Sequence, residues 1–446
     1  MRGSKLFSGK GAVKGNAARA AMAAALVAGL GIGAGAPAAM AKDKEAAKPA
    51  AANSKEFVTA AGPFQKSFND WQATKGKTDD ATYKAAGKAL VPGLAAVEAA
   101  SKTPNDRFIL GNWQQVLGGA ADDATLQQKG LQNMAESGMM PADKLPMVQY
   151  FLGATAYQNK DYPTAQKALK AAIDANYSED NAAELLADTY VQQNQPAQGL
   201  EALKAAIAAR KASGGTVPAS WYKRGQVIAY NAKLGPQSIE WGIMTVSADP
   251  SPLNWLGAGQ LAREFGNYGK EESLDLGRLF LRTGALGVDK KFTGREYIEY
   301  IQSADPRRLP GEVQKVTEMG IASGAISTSD PFVADALAQS KGRIAADKAS
   351  LPGLERDAAK AADGKLALAT GDAYLSYGEA AKAEAQYKAA LSKGGIDKDR
   401  AQMRLGIALL DEGKADEAKA AFGQVTGVRQ PMAQLWSVYA TTKGAK

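Results

Sequence analysis

The chain contains no cysteine and no histidine. Without cysteine there is no disulfide, no thiolate metal site and no thiol through which a lipid is attached. Without histidine the commonest general base, metal ligand and pH switch are all missing. Ser-His-Asp hydrolysis, zinc hydrolase chemistry and haem ligation by histidine are therefore excluded, and no metal or cofactor is expected. Aromatic residues make up only 7% of the chain. No stretch alternates at period two with β-branched side chains, so no strand is predicted. Acidic residues are missing from the first 41 positions, which hold Arg2, Lys5, Lys10, Lys14 and Arg19. The formal net charge of the 446 residues is +8, so without those five cations the remainder carries +3. That small excess is interspersed with acids and predicts no nucleic-acid surface.

What the chain has is alanine, with Leu, Lys, Glu and Gln, residues that lose little side-chain entropy in a helix. Residues 1–19 are basic, residues 20–36 are uncharged and apolar, and Ala39-Met40-Ala41 precedes the polar Lys42. A charged n-region, an apolar h-region and a small-x-small site predict a secretory signal over 1–41, cleaved after Ala41. The expected destination is a bacterial periplasm, with no stable membrane insertion after cleavage. Gly31, Gly33 and Ala36 fit a loose dinucleotide fingerprint, but no strand precedes them and they belong to the leader's composition. Residues 42–55, rich in Ala, Lys and Pro, read as a flexible tether.

Downstream, small and large residues recur at a fixed interval. Leu152-Gly153 is followed by Tyr157, Ala165, Leu169 and Ala172, and Leu186-Ala187 by Tyr190, Gly199, Leu203 and Ala206. Gly153 and Ala187 lie 34 positions apart. Gly371, Tyr374, Gly378, Ala383, Tyr387 and Ala390 repeat 35 positions later as Gly406, Leu409, Gly413, Ala418, Phe422 and Val425. A period in this range is the mark of a helical repeat array. The pattern resembles the tetratricopeptide repeat (TPR) family over four clear units, about a third of the chain. The resemblance implies an all-α, right-handed α-solenoid of TPR-like helical hairpins. Small residues would sit where helices cross, and Gly378 and Gly413 in turns that need positive φ.

The expected organisation has five parts: the leader, the tether, N-terminal repeats over 56–231, a divergent segment over 232–350, and C-terminal repeats over 351–446. Leu110-Gly111 opens a worn repeat, and Trp221 with Gly225 opens a unit whose second helix does not fit the pattern. Within 80–101, Pro92 is expected to kink or split the helix. Candidate helices in the divergent segment are 252–265, 270–283, 293–303, 310–323 and 330–347. Residues 431–441 are expected to cap the final repeat.

The resemblance also places the first helix of each unit along a concave groove that takes a protein or an extended peptide. Groove candidates are Tyr150, Glu184, Asp188, Tyr222, Gln226, Lys365, Asp372 and Arg400. Tyr150 and Tyr222 are equally readable as anchors or as core, and Tyr157 and Tyr190 are read as core. Acidic Glu184 and Asp188 speak against a clamp for a partner's terminal carboxylate. The rival reading is an envelope enzyme, or enzyme subunit, acting on cell-wall glycans through 232–350. Its candidate carboxylates are Glu296 and Glu299, one helical turn apart. Such a pair is more often a solvated helix face.

Overall fold

A computed structural model describes residues 52–177 and 181–444. The leader and its cleavage site lie outside the described residues, as do residues 42–51 of the tether. Among the described residues every regular element is helical. The chain divides into two compact units meeting at Val217 and Pro218, ahead of the boundary at 231/232 expected from repeat legibility.

The first unit runs α1 (Lys55–Gln72), α2 (Asp80–Leu90), α3 (Leu94–Ala100), α4 (Pro104–Ala120), α5 (Ala124–Glu136), α6 (Leu145–Gln158), α7 (Tyr162–Asp174), α8 (Ala182–Gln192) and α9 (Pro196–Ala212). Pro92 does split the 80–101 helix: a 3-10 turn over Val91–Gly93 separates α2 from α3. Side-chain caps set the helix starts. Asp79, Asp123 and Asp161 each accept from a backbone N–H in the first turn of the helix that follows, and Thr103 forms a capping box with Asp106. Asp106 is buried and also accepts from the Ser54 hydroxyl at 2.8 Å, while Asn105 donates to Asn53 at 2.7 Å. The end of the expected tether is thus fastened to the fold.

The second unit runs α10 (Ala219–Asn231), α11 (Gly235–Ala248), α12 (Pro252–Gly266), α13 (Lys270–Arg282), α14 (Lys290–Ala304), α15 (Pro310–Ala322), α16 (Pro331–Lys360), α17 (Lys365–Ser376), α18 (Ala380–Lys393), α19 (Lys398–Asp411), α20 (Ala415–Phe422) and α21 (Gln430–Gly444). Successive helices pack as hairpins in both units. The architecture is a TPR-like array of helical hairpins.

The small slots sit at close crossings. A Cβ on Gly153 would lie 2.5 Å from Leu169, one on Gly371 2.7 Å from Tyr387, and one on Gly406 2.4 Å from Phe422. Ala165 and Ala383 are fully buried. Gly378 and Gly413 adopt φ of 75° and 83° in their turns. The divergent segment keeps the same device with aromatic partners. Gly225 presses on Trp241, Gly259 on Phe280 and Gly277 on Tyr300. Gly259 stands 34 positions after Gly225, so the period continues. In the clear units the facing residue comes 16 positions after the slot, whereas Phe280 comes 21 after Gly259 and Tyr300 comes 23 after Gly277, which hides these units from a fixed-spacing pattern. The last candidate helix of the segment ends later than expected: α16 runs through Pro352 to Lys360.

Helix α21 covers α20, as a capping helix should, and also returns to α11 and α12. Tyr439 meets the Trp255 ring edge-on at 6.1 Å, and its hydroxyl donates to the Arg282 carbonyl at 3.1 Å. Arg282 in turn grips Asp411 with two bonds of 2.8 and 2.6 Å. The last helix of this unit is bound to its first hairpins.

Candidate protein-binding groove

Counted from the small slot, equivalent positions in each hairpin can be compared. The residue just after it is apolar in two units, Ala154 after Gly153 and Ile407 after Gly406, and polar in five others: Asn112 after Gly111, Asp188 after Ala187, Gln226 after Gly225, Gln260 after Gly259 and Asp372 after Gly371. Asn112, Asp188, Gln226 and Asp372 are all buried. These helices therefore carry an inward polar row, and what satisfies it differs between the two units.

In the second unit the row is satisfied from within. Asp372 accepts from Arg400 at 2.8 Å, from Arg404 at 2.5 Å and from the Tyr387 hydroxyl at 2.9 Å. Arg404, fully buried, reaches on to Asp275 at 3.0 Å and Glu271 at 2.6 Å. Glu271 is also gripped by Arg308 at 2.7 and 2.9 Å. Arg278 holds Glu312 with two bonds of 2.8 Å and Asp275 with one of 3.3 Å, and Tyr300 donates to Glu312 at 2.6 Å. The carboxylates of Glu271, Asp275, Glu312 and Asp372 thus face the guanidinium groups of Arg278, Arg308, Arg400 and Arg404, and their formal charges cancel.

The environment divides the four acids. Burial opposes the charge of Glu271, yet Arg308, Arg404 and Arg400 outweigh it and hold the carboxyl well below its usual range. Glu312 and Asp372 are lowered in the same way, against burial, chiefly by Arg278 and by Arg404. Asp275 goes the other way: burial wins over Arg404 and Arg278 and raises it. Its Oδ2 has no hydrogen-bond donor.

The expected groove residues are accordingly redistributed. Asp372 and Arg400 do come together, but as members of an internal ionic network and not as an open partner surface. Lys365 is exposed and pairs with Asp363 at 3.0 Å. Tyr222 and Gln226 are buried, Tyr222 to 4% exposure. In the first unit Tyr150 is 6% exposed, stacks obliquely on Tyr177 at 5.4 Å and donates its hydroxyl to Asn181 at 3.0 Å. Burial of both rings places these tyrosines in the core and leaves neither a face for a partner. Asp188 is buried, and only Glu184 stays half-exposed.

Two residues were missed. Asn112 and Gln115 occupy, in the worn repeat, the slots just after Gly111 and four beyond it. Both are buried, and among the described residues the Oδ1 of Asn112 and the Oε1 of Gln115 have no donor. Counting from Leu110-Gly111 as from the better units would have found them. Gln115 borders a cleft of about 670 Å³ formed where α1, α2, α4 and α5 meet.

The carboxylate pair of the rival reading is also engaged. Glu296, 3% exposed, forms a two-pronged ion pair with Arg263 and accepts from Gln260 at 2.9 Å, while Arg263 reaches Glu299 at 2.6 Å. Both oxygens of Glu296 are occupied.

No family model matches this sequence, and no curated protein does. Among solved structures, a complex of Naa15 and Naa10 bound to HypK-THB overlaps at 13% identity and TM-score 0.32, covering 85% of this chain and 70% of that one. The APC/C hetero-tetramer Cut9-Hcn1 overlaps at 12% identity and TM-score 0.18, covering 87% and 91%. Neither overlap is close enough to inform the role of this chain.

Proposed function

We propose that this chain is an exported, non-catalytic scaffold that holds a protein or an extended peptide in the bacterial cell envelope. The observation that carries the reading is the recurrent close crossing of paired helices at Gly153, Gly371 and Gly406. Hairpins joined this way stack neighbour on neighbour and build binding surface rather than a reaction centre. The engagement of Glu296 weighs against the glycan-cleaving alternative, since that chemistry needs one carboxyl free to give a proton and another free to attack or to activate water. Because the inward charges of the second unit satisfy one another, partner contact is assigned to the first unit.

Two measurements test this. Affinity capture with the full chain from envelope fractions, followed by reconstitution with each purified candidate, should yield a direct complex. Failure of every candidate to bind, or a glycan-cleaving activity lost in Glu296→Gln, overturns the scaffold reading. For export, the three-part leader predicts a mature N-terminus at Lys42. Peptide analysis of the cell-associated protein reads it, and Met1 retained in the main species overturns it.

A further inference from the structure

We propose that the cleft beside Gln115 receives a peptide group from an extended segment of the partner. This rests on the protein-binding reading and gives it a place and a chemistry. Buried polar atoms in folded chains nearly always have a partner. Here, among the described residues, two amide oxygens on one face of α4, those of Asn112 and Gln115, have none, and Gln115 is one of the residues lining the cleft. The terminal torsion of a glutamine is broad and two-fold, so rotation about it exchanges the buried Gln115 oxygen with the amide nitrogen and brings the oxygen toward the cleft. A side-chain amide then offers one acceptor and one donor in a plane, the complement of a peptide N–H and C=O.

The rest of the cleft favours a neutral, flat group. Its volume of about 670 Å³ lies within the range of ligand sites. One wall is the Trp71 indole stacked on the Tyr83 ring at 4.7 Å and 21°. The indole N–H already donates to the Tyr83 carbonyl at 2.9 Å, so this wall presents carbon. The charged residues bordering the cleft cancel: Lys75 and Lys84 against Asp80 and Asp122, with Lys84 paired to Asp80 at 3.0 Å. An ammonium or carboxylate ligand would find no net field, whereas a backbone amide needs none. Gly119 leaves the rim open, since a Cβ there would meet only the Gln127 side-chain nitrogen at 3.4 Å.

The test uses the full chain and end-blocked peptides recovered from a random displayed library, with affinities read by interferometry. Gln115→Leu should weaken them by about tenfold, the loss of one good hydrogen bond, while circular dichroism and melting stay at or above the parent. Gly119→Phe, at an exposed position on the rim, should abolish binding. Methylating one backbone nitrogen of the peptide should again cost about tenfold. The proposal is overturned if no peptide is recovered whose binding Gly119→Phe blocks. Tolerance of every N-methyl position, unchanged affinity in Gln115→Leu, or competition by a neutral oligosaccharide in place of peptides overturns it as well. A captured envelope partner that binds parent and Gly119→Phe equally removes the cleft and leaves the scaffold standing. Absence of any direct partner removes both.

Discussion

Replacing Arg404 by methionine tests whether the ionic network determines the interior of the second unit. Arg404 has no exposed surface, and its guanidinium serves three carboxylates, Glu271, Asp275 and Asp372, on two other helices. Methionine keeps the stem and its packing but leaves a buried excess of one negative charge. Breaking a buried pair from one side costs about 3–5 kcal/mol, a large part of a domain's stability. The pH dependence has a definite sign. Glu271, Asp372 and Glu312 are lowered in the folded state, so in the parent their contribution is present above the ordinary carboxylate range and is lost as pH falls through their depressed values. Asp275 is raised and works oppositely: its contribution is present at low pH and is lost as pH rises through its folded value. Without Arg404 the carboxylates are pushed upward, and mild acid should return part of the loss, reversing the parent's trend. Adding Asp275→Asn restores neutrality, so the double variant should be more stable than the single, with a coupling of about 0.5–3 kcal/mol. Urea denaturation followed by tryptophan fluorescence and circular dichroism, at neutral and mildly acidic pH, reads all of this. A single variant as stable as the parent at both pH values, or a double variant that is strictly additive, would refute the network's role.

Two further perturbations test the helix crossings. Ala165→Leu and Ala383→Leu insert bulk at fully buried slots and should each cost about 1–3 kcal/mol in chemical denaturation; parent-like stability in both would show that the slots are not packed. Gly225→Ala places a Cβ 2.2 Å from the Trp241 ring and should destabilise by a similar ~1–3 kcal/mol in the same measurement; in a Trp241→Leu background, where the obstructing ring is gone, the added cost of Gly225→Ala should be much smaller.

Local chemistry wrote the helices and the turns. Gly378 and Gly413 stand where the chain needs a left-handed residue, and Asp79, Thr103 and Asp161 stand where a helix needs a cap. Such features depend on a few neighbouring residues and are therefore readable in order along the chain. The breaks at Pro252, Asp305-Pro306 and Gly284 were legible for the same reason. The repeat in 232–350 was not, because the ring facing the slot falls 21 positions after Gly259 and 23 after Gly277, against 16 in the clear units. Gly259 reads as a small slot only once the Phe280 ring is seen to fill the space above it.

The groove shows the limit most clearly. The family resemblance put Tyr150, Tyr222, Asp372 and Arg400 on a groove open to a partner; Tyr150, Tyr222 and Asp372 are buried instead, and Arg400 pairs with Asp372. Whether an inward face meets a partner or the chain itself depends on contacts across the fold. Arg404 and Asp275, 129 positions apart, meet across the second unit's interior, and α21 returns to α11 and α12. By itself the sequence determined helices and period, because these follow from short-range spacing. Tertiary structure alone decided that the second unit's charges satisfy one another and that Asn112 and Gln115 do not find donors, because pairing of buried polar groups is settled by which distant helices come within a hydrogen bond of each other.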